Sequence, residues 1–157
     1  KTHNTFSIYL ALEELGEDDY IFIDGDLLLQ NDIIWNLLQY KYFNYLLTKE
    51  VPENNTPGTK IIKDENNKVS KLGKNLHIKS NIYEIHSGLF QITRNSYNDF
   101  YKCISDNNLN NYEIEYPLNR FIKHSDLYTL SFKKFFWVNI NTNIDLVNAE
   151  MIVNKYE

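Results

Sequence analysis

Tyr20-Ile21-Phe22-Ile23-Asp24-Gly25-Asp26 is the stretch whose reading decides the fold. Four apolar or aromatic residues in a row have strand length, and two carboxylates follow at once. Ligands of open α/β sheets bind at the carboxyl ends of the strands, so acidic residues at such an end stand where ligand chemistry happens. Asp24 and Asp26, two residues apart, point to one side if the chain is still extended there. Gly25 between them lets a phosphate or sugar approach the backbone closely. Asp-Gly-Asp by itself is also ordinary turn chemistry. The apolar run before it gives the acidic pair its fixed place.

A second signal lies near the far end, in Phe136-Trp137-Val138-Asn139-Ile140-Asn141-Thr142-Asn143-Ile144-Asp145-Leu146. Asn139 and Asn141 would close a buried strand just before a helix. Thr142 or Asn143 is suited to cap that helix, and Asp145 in its first turn favours the dipole. The caps explain Thr142, Asn143 and Asp145 without a ligand; they explain Asn139 and Asn141 less well. The two segments are expected to meet around one divalent cation. Magnesium takes one or two protein carboxylates and keeps its other positions for water and substrate phosphates. Asp26, Asp24, Asn139 and Asn141 are the candidate metal ligands.

Between these ends, apolar spacing predicts a helix over about residues 7–15, stopped by Gly16. Asn31 or Asp32 is placed to cap a second helix through Leu38. Residues 42–48 read as a strand and 51–59 as a loop with two prolines and a glycine. Residues 60–63 and 68–71 read as a hairpin around Asp64-Glu65-Asn66-Asn67. An extended stretch over 82–93 is interrupted at Ser87-Gly88. A helix over 95–104, a polar loop over 106–111 and a helix containing Pro117 in its first turn follow. Strands are expected over 127–132 and 135–140, and a closing helix over 144–156. Alternating helices and strands with one hairpin-rich insertion imply an α/β fold, a mostly parallel sheet flanked by helices. The 157 residues read as one domain.

Composition narrows the function. A net charge of -5 argues against a nucleic-acid groove as the main role. No apolar run approaches the roughly 20 residues that span a bilayer, so no membrane partner is expected. The one cysteine, Cys103, permits no intrachain disulfide and suits a reducing, cytoplasmic setting. The abundance of Asn, Lys, Ile and Tyr fits an AT-rich coding sequence.

The chain resembles the nucleotidyltransferases that join a nucleoside triphosphate to a sugar-1-phosphate or to phosphocholine, and more loosely the molybdenum-cofactor guanylyltransferases. Asn4-Thr5-Phe6-Ser7 resembles the segment before the family's metal strand. Phe22-Ile23-Asp24-Gly25-Asp26 resembles that strand, whose last Asp is the usual magnesium ligand. Ile85-His86-Ser87-Gly88-Leu89-Phe90 resembles the strand whose glycine lines the acceptor pocket. Trp137 through Glu150 resembles the closing strand and helix with a second metal ligand. The resemblance implies a GT-A-like, Rossmann-like fold, Mg2+ as cofactor, and a nucleoside triphosphate and a phosphorylated acceptor as substrates.

Two departures stand out. The glycine-rich loop that grips the triphosphate in the family has no counterpart, so the chain is expected to be an N-terminally incomplete domain, inactive by itself. Asn139 or Asn141 stands where relatives often carry Asp, and related groups place the ligand at either offset. The implied reaction is direct attack of an acceptor phosphate oxygen on the α-phosphate, with release of pyrophosphate and no protein nucleophile. Lys74 resembles a family position near the phosphates, while a lysine in a solvated turn is the plainer reading. The acceptor contacts implied are Ser87, Gly88, Glu115, Tyr116 and Trp137. Tyr83, Tyr116 and Trp137 are candidates for an aromatic cage around a quaternary ammonium, although aromatics more often build core. His86 reads as a hydrogen-bonded strand residue and not as a base. Two competing readings are a GT-A glycosyltransferase, whose Asp-x-Asp motif Asp24 and Asp26 satisfy, and a non-catalytic nucleotide-binding domain.

Overall fold

The computed structural model describes residues 4–52, 58–78, 82–105 and 112–155. The polar loop expected over 106–111 lies outside them. In chain order the elements are α1 (Asn4–Leu15), β1 (Tyr20–Ile23), β2 (Leu27–Leu29), α2 (Asn31–Leu37), β3 (Tyr45–Pro52), β4 (Lys60–Lys63), β5 (Val69–Gly73), β6 (Ile82–Ile92), α3 (Tyr97–Ile104), α4 (Glu115–Phe121), β7 (Tyr128–Leu130), β8 (Trp137–Asn139) and α5 (Asn143–Val153). Short 3-10 turns follow α2 and precede α3.

The fold is α/β, with a central sheet flanked by helices. Its strands run in the order β5-β4-β6-β3-β7, and β1 also pairs with β6. The direction of pairing differs from the expected mostly parallel sheet. Among the described residues only β3 and β7 run parallel; β1, β3 and β4 are all antiparallel to β6, and β4 is antiparallel to β5. Helix-strand alternation in the sequence suggested crossovers, but the long β6 instead gathers its neighbours in reverse. A separate two-stranded ribbon joins β2 to β8.

Side chains of β3 and β6 alternate between two cores, as the period of an extended chain requires. Leu46 and Phe90 enter the larger core with Leu12 of α1, Phe100 and Ile104 of α3, and Leu118 and Phe121 of α4. Tyr45, Leu47 and Leu89 face the other side, where Ile33 and Leu37 of α2 are fully buried. Leu27, Leu29 and Trp137 of the ribbon pack against this second core. The packing of the ribbon against this covered sheet fixes the ends of β1 and β8.

Local chemistry sets the boundaries. Gly16 ends α1 in the left-handed region at φ +78°, its N–H bonded to the Leu12 carbonyl at 3.0 Å. In the β4–β5 turn the Asp64 carboxylate accepts the N–H groups of Asn66 and Lys68, each at 2.9 Å. β3 starts later than expected because Asn44 is a buried plug. Its amide donates to Ser96 Oγ and the Asp126 carbonyl, and its oxygen accepts from Thr93 N–H and Oγ1. Thr142, as expected, caps α5.

Candidate functional site

After β1 the chain reverses. Asp24 N–H donates to the Gly88 carbonyl at 2.8 Å, and Leu27 N–H to the Asp24 carbonyl at 3.2 Å. The turn sends β2 back along β8, with Leu27 opposite Asn139. Ile140 N–H then donates to the Asp26 carbonyl at 2.8 Å. The acidic strand end and the asparagine-bearing strand end, more than a hundred residues apart, therefore meet. Asp26 is exposed, Asn139 partly buried and Asn141 exposed.

Asp24 differs from Asp26 in its surroundings. It is partly buried, and its carboxyl titrates above the ordinary aspartate value. Burial is the main cause, and the charges of Asp26 and Glu115 add to it; a hydrogen bond from the Asn4 side chain works the other way. The carboxyl lies against Gly88, where a Cβ would stand 2.5 Å from Asp24 Oδ2. Gly88 also holds φ +90°, so both the space and the backbone there call for glycine. Ser87 is buried, and its Oγ accepts the Leu89 N–H at 3.2 Å.

Glu115 opens α4, and its carboxylate takes the Thr59 hydroxyl. Tyr116 stacks on Tyr112 with ring centroids 4.2 Å apart, both partly solvent-facing. Thr5 of α1 donates to the Tyr112 carbonyl at 2.8 Å, so this pair is tied to the same helix end that carries Asn4. Lys74, just after β5, is paired with the Glu113 carboxylate, and both are about half exposed. That bond ties the segment after β5 to the approach to α4.

Trp137 lies elsewhere in the ribbon. It packs beside Val51, Tyr83 and Ile85, with Lys49 Nζ 5.4 Å from its ring centroid. Tyr83 is buried, with Lys60 Nζ 5.0 Å from its ring. Both rings thus already carry a lysine, while Tyr116 is stacked on Tyr112. A cleft of about 370 Å³ opens beside Trp137, bordered by Lys49, Glu50, Lys133 and Phe135. Lys133 and Glu50 form an ion pair at 3.2 Å across it.

Asn4, Thr59 and Tyr112 were not singled out as site residues from the sequence. Nothing local marks them; each matters only because the fold carries it to Asp24, Glu115 or Thr5. Among the described residues there is no group of three or more His, Cys, Asp and Glu that could hold a metal. No helix among them is long and apolar enough to cross a membrane.

No family model matches the chain, and no curated protein matches it in sequence. Solved structures do match in shape. The inositol-1-phosphate CTP transferase of T. maritima is 16% identical with a TM-score of 0.74, over 97% of this chain and 62% of its own. A UDP-glucose pyrophosphorylase complexed with UDP-glucose is 16% identical with a TM-score of 0.74, over 99% of this chain and 63% of its own. The CTP:phosphocholine cytidylyltransferase of Streptococcus pneumoniae is 19% identical with a TM-score of 0.73, over 97% of this chain and 64% of its own. The chain has the fold of these nucleotidyltransferases and spans somewhat under two thirds of their length.

Proposed function

We propose that this chain is the greater part of a magnesium-dependent nucleotidyltransferase that joins a nucleoside triphosphate to a sugar-1-phosphate or a phosphocholine-like acceptor and releases pyrophosphate. One observation carries the reading: on a nucleotidyltransferase fold, the Asp26 carbonyl receives the Ile140 N–H, which brings the acidic end of β1 beside Asn139 and Asn141. The segments that carry the candidate oxygen donors, distant in sequence, thereby meet through the main chain.

The donor set fits a hard cation. It is all oxygen, with the carboxylates of Asp26 and Asp24 and the carboxamides of Asn139 or Asn141. Magnesium keeps waters and substrate phosphates among its ligands, so a few protein oxygens suffice. Magnesium, when bound, offsets charge that develops on the phosphates. An asparagine lends an oxygen without a charge, so the two aspartates carry the electrostatic load.

In the proposed reaction an acceptor phosphate oxygen forms a bond to the α-phosphorus as the bond to pyrophosphate breaks. The chain's contribution is orientation, and orientation supplies much of the rate in such transfers. Gly88, without a side chain, makes room for the Asp24 carboxyl beside Ser87. Glu115, held by Thr59, and Tyr116, linked to α1 through Tyr112 and Thr5, are assigned to the acceptor side. Lys74 reaches a phosphate only by leaving Glu113, so its ion pair acts as a resting position. Trp137 contributes through its cleft. The free, buried Cys103 accords with a cytoplasmic enzyme.

The test is pyrophosphate release by the complete natural protein, supplied with each nucleoside triphosphate, Mg2+, and phosphocholine or a panel of sugar-1-phosphates. Release that requires one triphosphate and one acceptor together is expected. Silence across the panel from folded protein would overturn the reading and favour a binding domain, for which the two uncharged asparagines already argue. Hydrolysis or transfer from a nucleotide sugar, with no use of triphosphate, would favour a glycosyltransferase.

A further inference from the structure

The longest strand, β6, changes partner along one edge. His86 N–H bonds the Thr59 carbonyl at 2.9 Å, just ahead of β4. From Leu89 onward that edge belongs to β1, with Ile23 opposite Leu89. On the other edge β3 keeps contact throughout, but its register moves: Leu46 faces Phe90 while Thr48 faces His86. Ser87, Gly88 and Leu89 therefore stand against Leu47 alone. An ordinary bulge sets two residues against one, bends the strand, and is favoured next to active sites, where it re-aims a side chain. This larger bulge contains the φ +90° glycine on which the Asp24 carboxyl rests.

Two side chains bond the Leu89 backbone inside the bulge. Ser87 Oγ accepts its N–H at 3.2 Å, and the His86 ring nitrogen Nε2 lies 3.2 Å from its carbonyl. A carbonyl only accepts, so Nε2 carries the proton and donates. The ring also lies against Phe90, with centroids 6.1 Å apart. The His86–Leu89 bond spans Ser87 and Gly88 and closes the bulge like a clasp. Burial lowers the His86 pKa to about 4, which keeps the ring in its neutral, single-donor form at neutral pH.

The geometry points to His86 as a positioning residue: its ring clasps the bulge at residues 87–89 and thereby sets where Gly88 meets the Asp24 carboxyl. His86 touches no substrate in this account. It acts on the site through the Leu89 carbonyl and the Gly88 backbone, whose carbonyl in turn anchors the Asp24 N–H at 2.8 Å.

The test compares His86→Leu, which keeps bulk and removes the donor, with His86→Gln, which keeps a donor. In the wild-type protein, nitrogen NMR of the imidazole should show the Nε2–H tautomer; the Nδ1–H tautomer would overturn the clasp with no variant needed. In His86→Leu, exchange of the Asp24 and Leu89 amide protons should speed by roughly tenfold, the size of one lost hydrogen bond. The Val69 amide, bonded to Leu127 far from the bulge, should not change. His86→Gln should restore protection. Equal exchange in wild type and His86→Leu, acceleration spread evenly through the sheet, or unfolding of both variants would each count against positioning. The kinetic arm rests on the transferase reading: His86→Leu should lower kcat/KM by about tenfold, and His86→Gln should recover most of it. Full activity in His86→Leu would overturn the positioning role, whereas no transferase activity in the wild-type protein, with the exchange result intact, would fault the transferase reading and leave the clasp standing.

Discussion

Asp24 and Asp145 each stand just beyond an apolar strand, and the fold treats them in opposite ways. Asp145 sits in the first turn of α5. Its carboxylate accepts the N–H groups of Asn141 at 3.1 Å and Thr142 at 2.8 Å, and the Thr142 hydroxyl at 2.9 Å; Thr142 Oγ1 accepts the Asp145 N–H in return. This reciprocal capping box holds its pKa below the ordinary value, chiefly through the Thr142 side chain. Asp24 is partly buried, beside two further carboxylates, and its pKa is raised. One carboxylate is consumed by the helix it starts. The other is kept at a cost to the fold, and such groups cluster at functional sites. Similar residues at similar places in the sequence thus part company only through what surrounds them.

The sharpest way to break this comparison is to remove the carboxylate assigned to chemistry alone. Asp26→Ala in the complete protein should lower pyrophosphate release by roughly 100-fold or more, as loss of a charge-stabilising group does. Its thermal unfolding should stay near wild type, because the side chain is exposed. Unchanged activity would remove Asp26 from the site.

Gly88→Ala comes next. The added methyl would collide with Asp24 Oδ2, and φ +90° strains any L residue. A loss of about 1–3 kcal/mol is expected in denaturant melts, together with loss of activity. A fully stable Ala variant would mean that the close approach at Asp24 relaxes easily.

Thr142→Ala tests the other strand end. Breaking the capping box should cost about 1 kcal/mol and leave the Mg2+ requirement of the reaction as it was. A changed requirement would show that the cap also shapes the metal site.

The smallest effect separates the two aspartates by sign. A raised folded-state pKa means that Asp24 favours the fold when protonated, and that this benefit fades as pH rises through the raised value. Asp24→Asn should therefore be more stable than wild type at neutral pH, with the gap closing below the ordinary aspartate range. Asp145 works the opposite way. Its contribution is present above the ordinary aspartate pKa and is lost as pH falls through the lowered value, so Asp145→Asn should be less stable at neutral pH. Equal signs in the two melting series would end the distinction.

Much of this was legible in the sequence, for physical reasons that can be named. The β1 run, the Asp64 turn, the amphipathic α3 and the Thr142 cap are local, and local spacing encodes them. Leu27-Leu28-Leu29 carries no alternation and no turn signal, so β2 stayed hidden; its strand character comes from β8. Strand direction was misread because antiparallel pairing to β6 depends on partners far away in the chain. In the site, the strand ends that carry Asp26 and Asn139 were legible, and the fold joins them through the Ile140 N–H and the Asp26 carbonyl. The roles of Asn4 and Thr59 were not, since each is an ordinary polar residue until the fold brings it to a carboxylate. The interruption at Ser87-Gly88 was visible, but its form, three residues against one, is a property of the pairing.

The most direct test of the central claim is where a divalent cation binds. Mn2+, a paramagnetic substitute for Mg2+, should be titrated into the isotopically labelled protein while backbone amide signals are followed. The account predicts that Gly25, Asp26 and residues 139–141 broaden first, and that Asp26→Ala abolishes the effect. First broadening at the Lys49–Trp137 cleft, or none that Asp26→Ala removes, would contradict it.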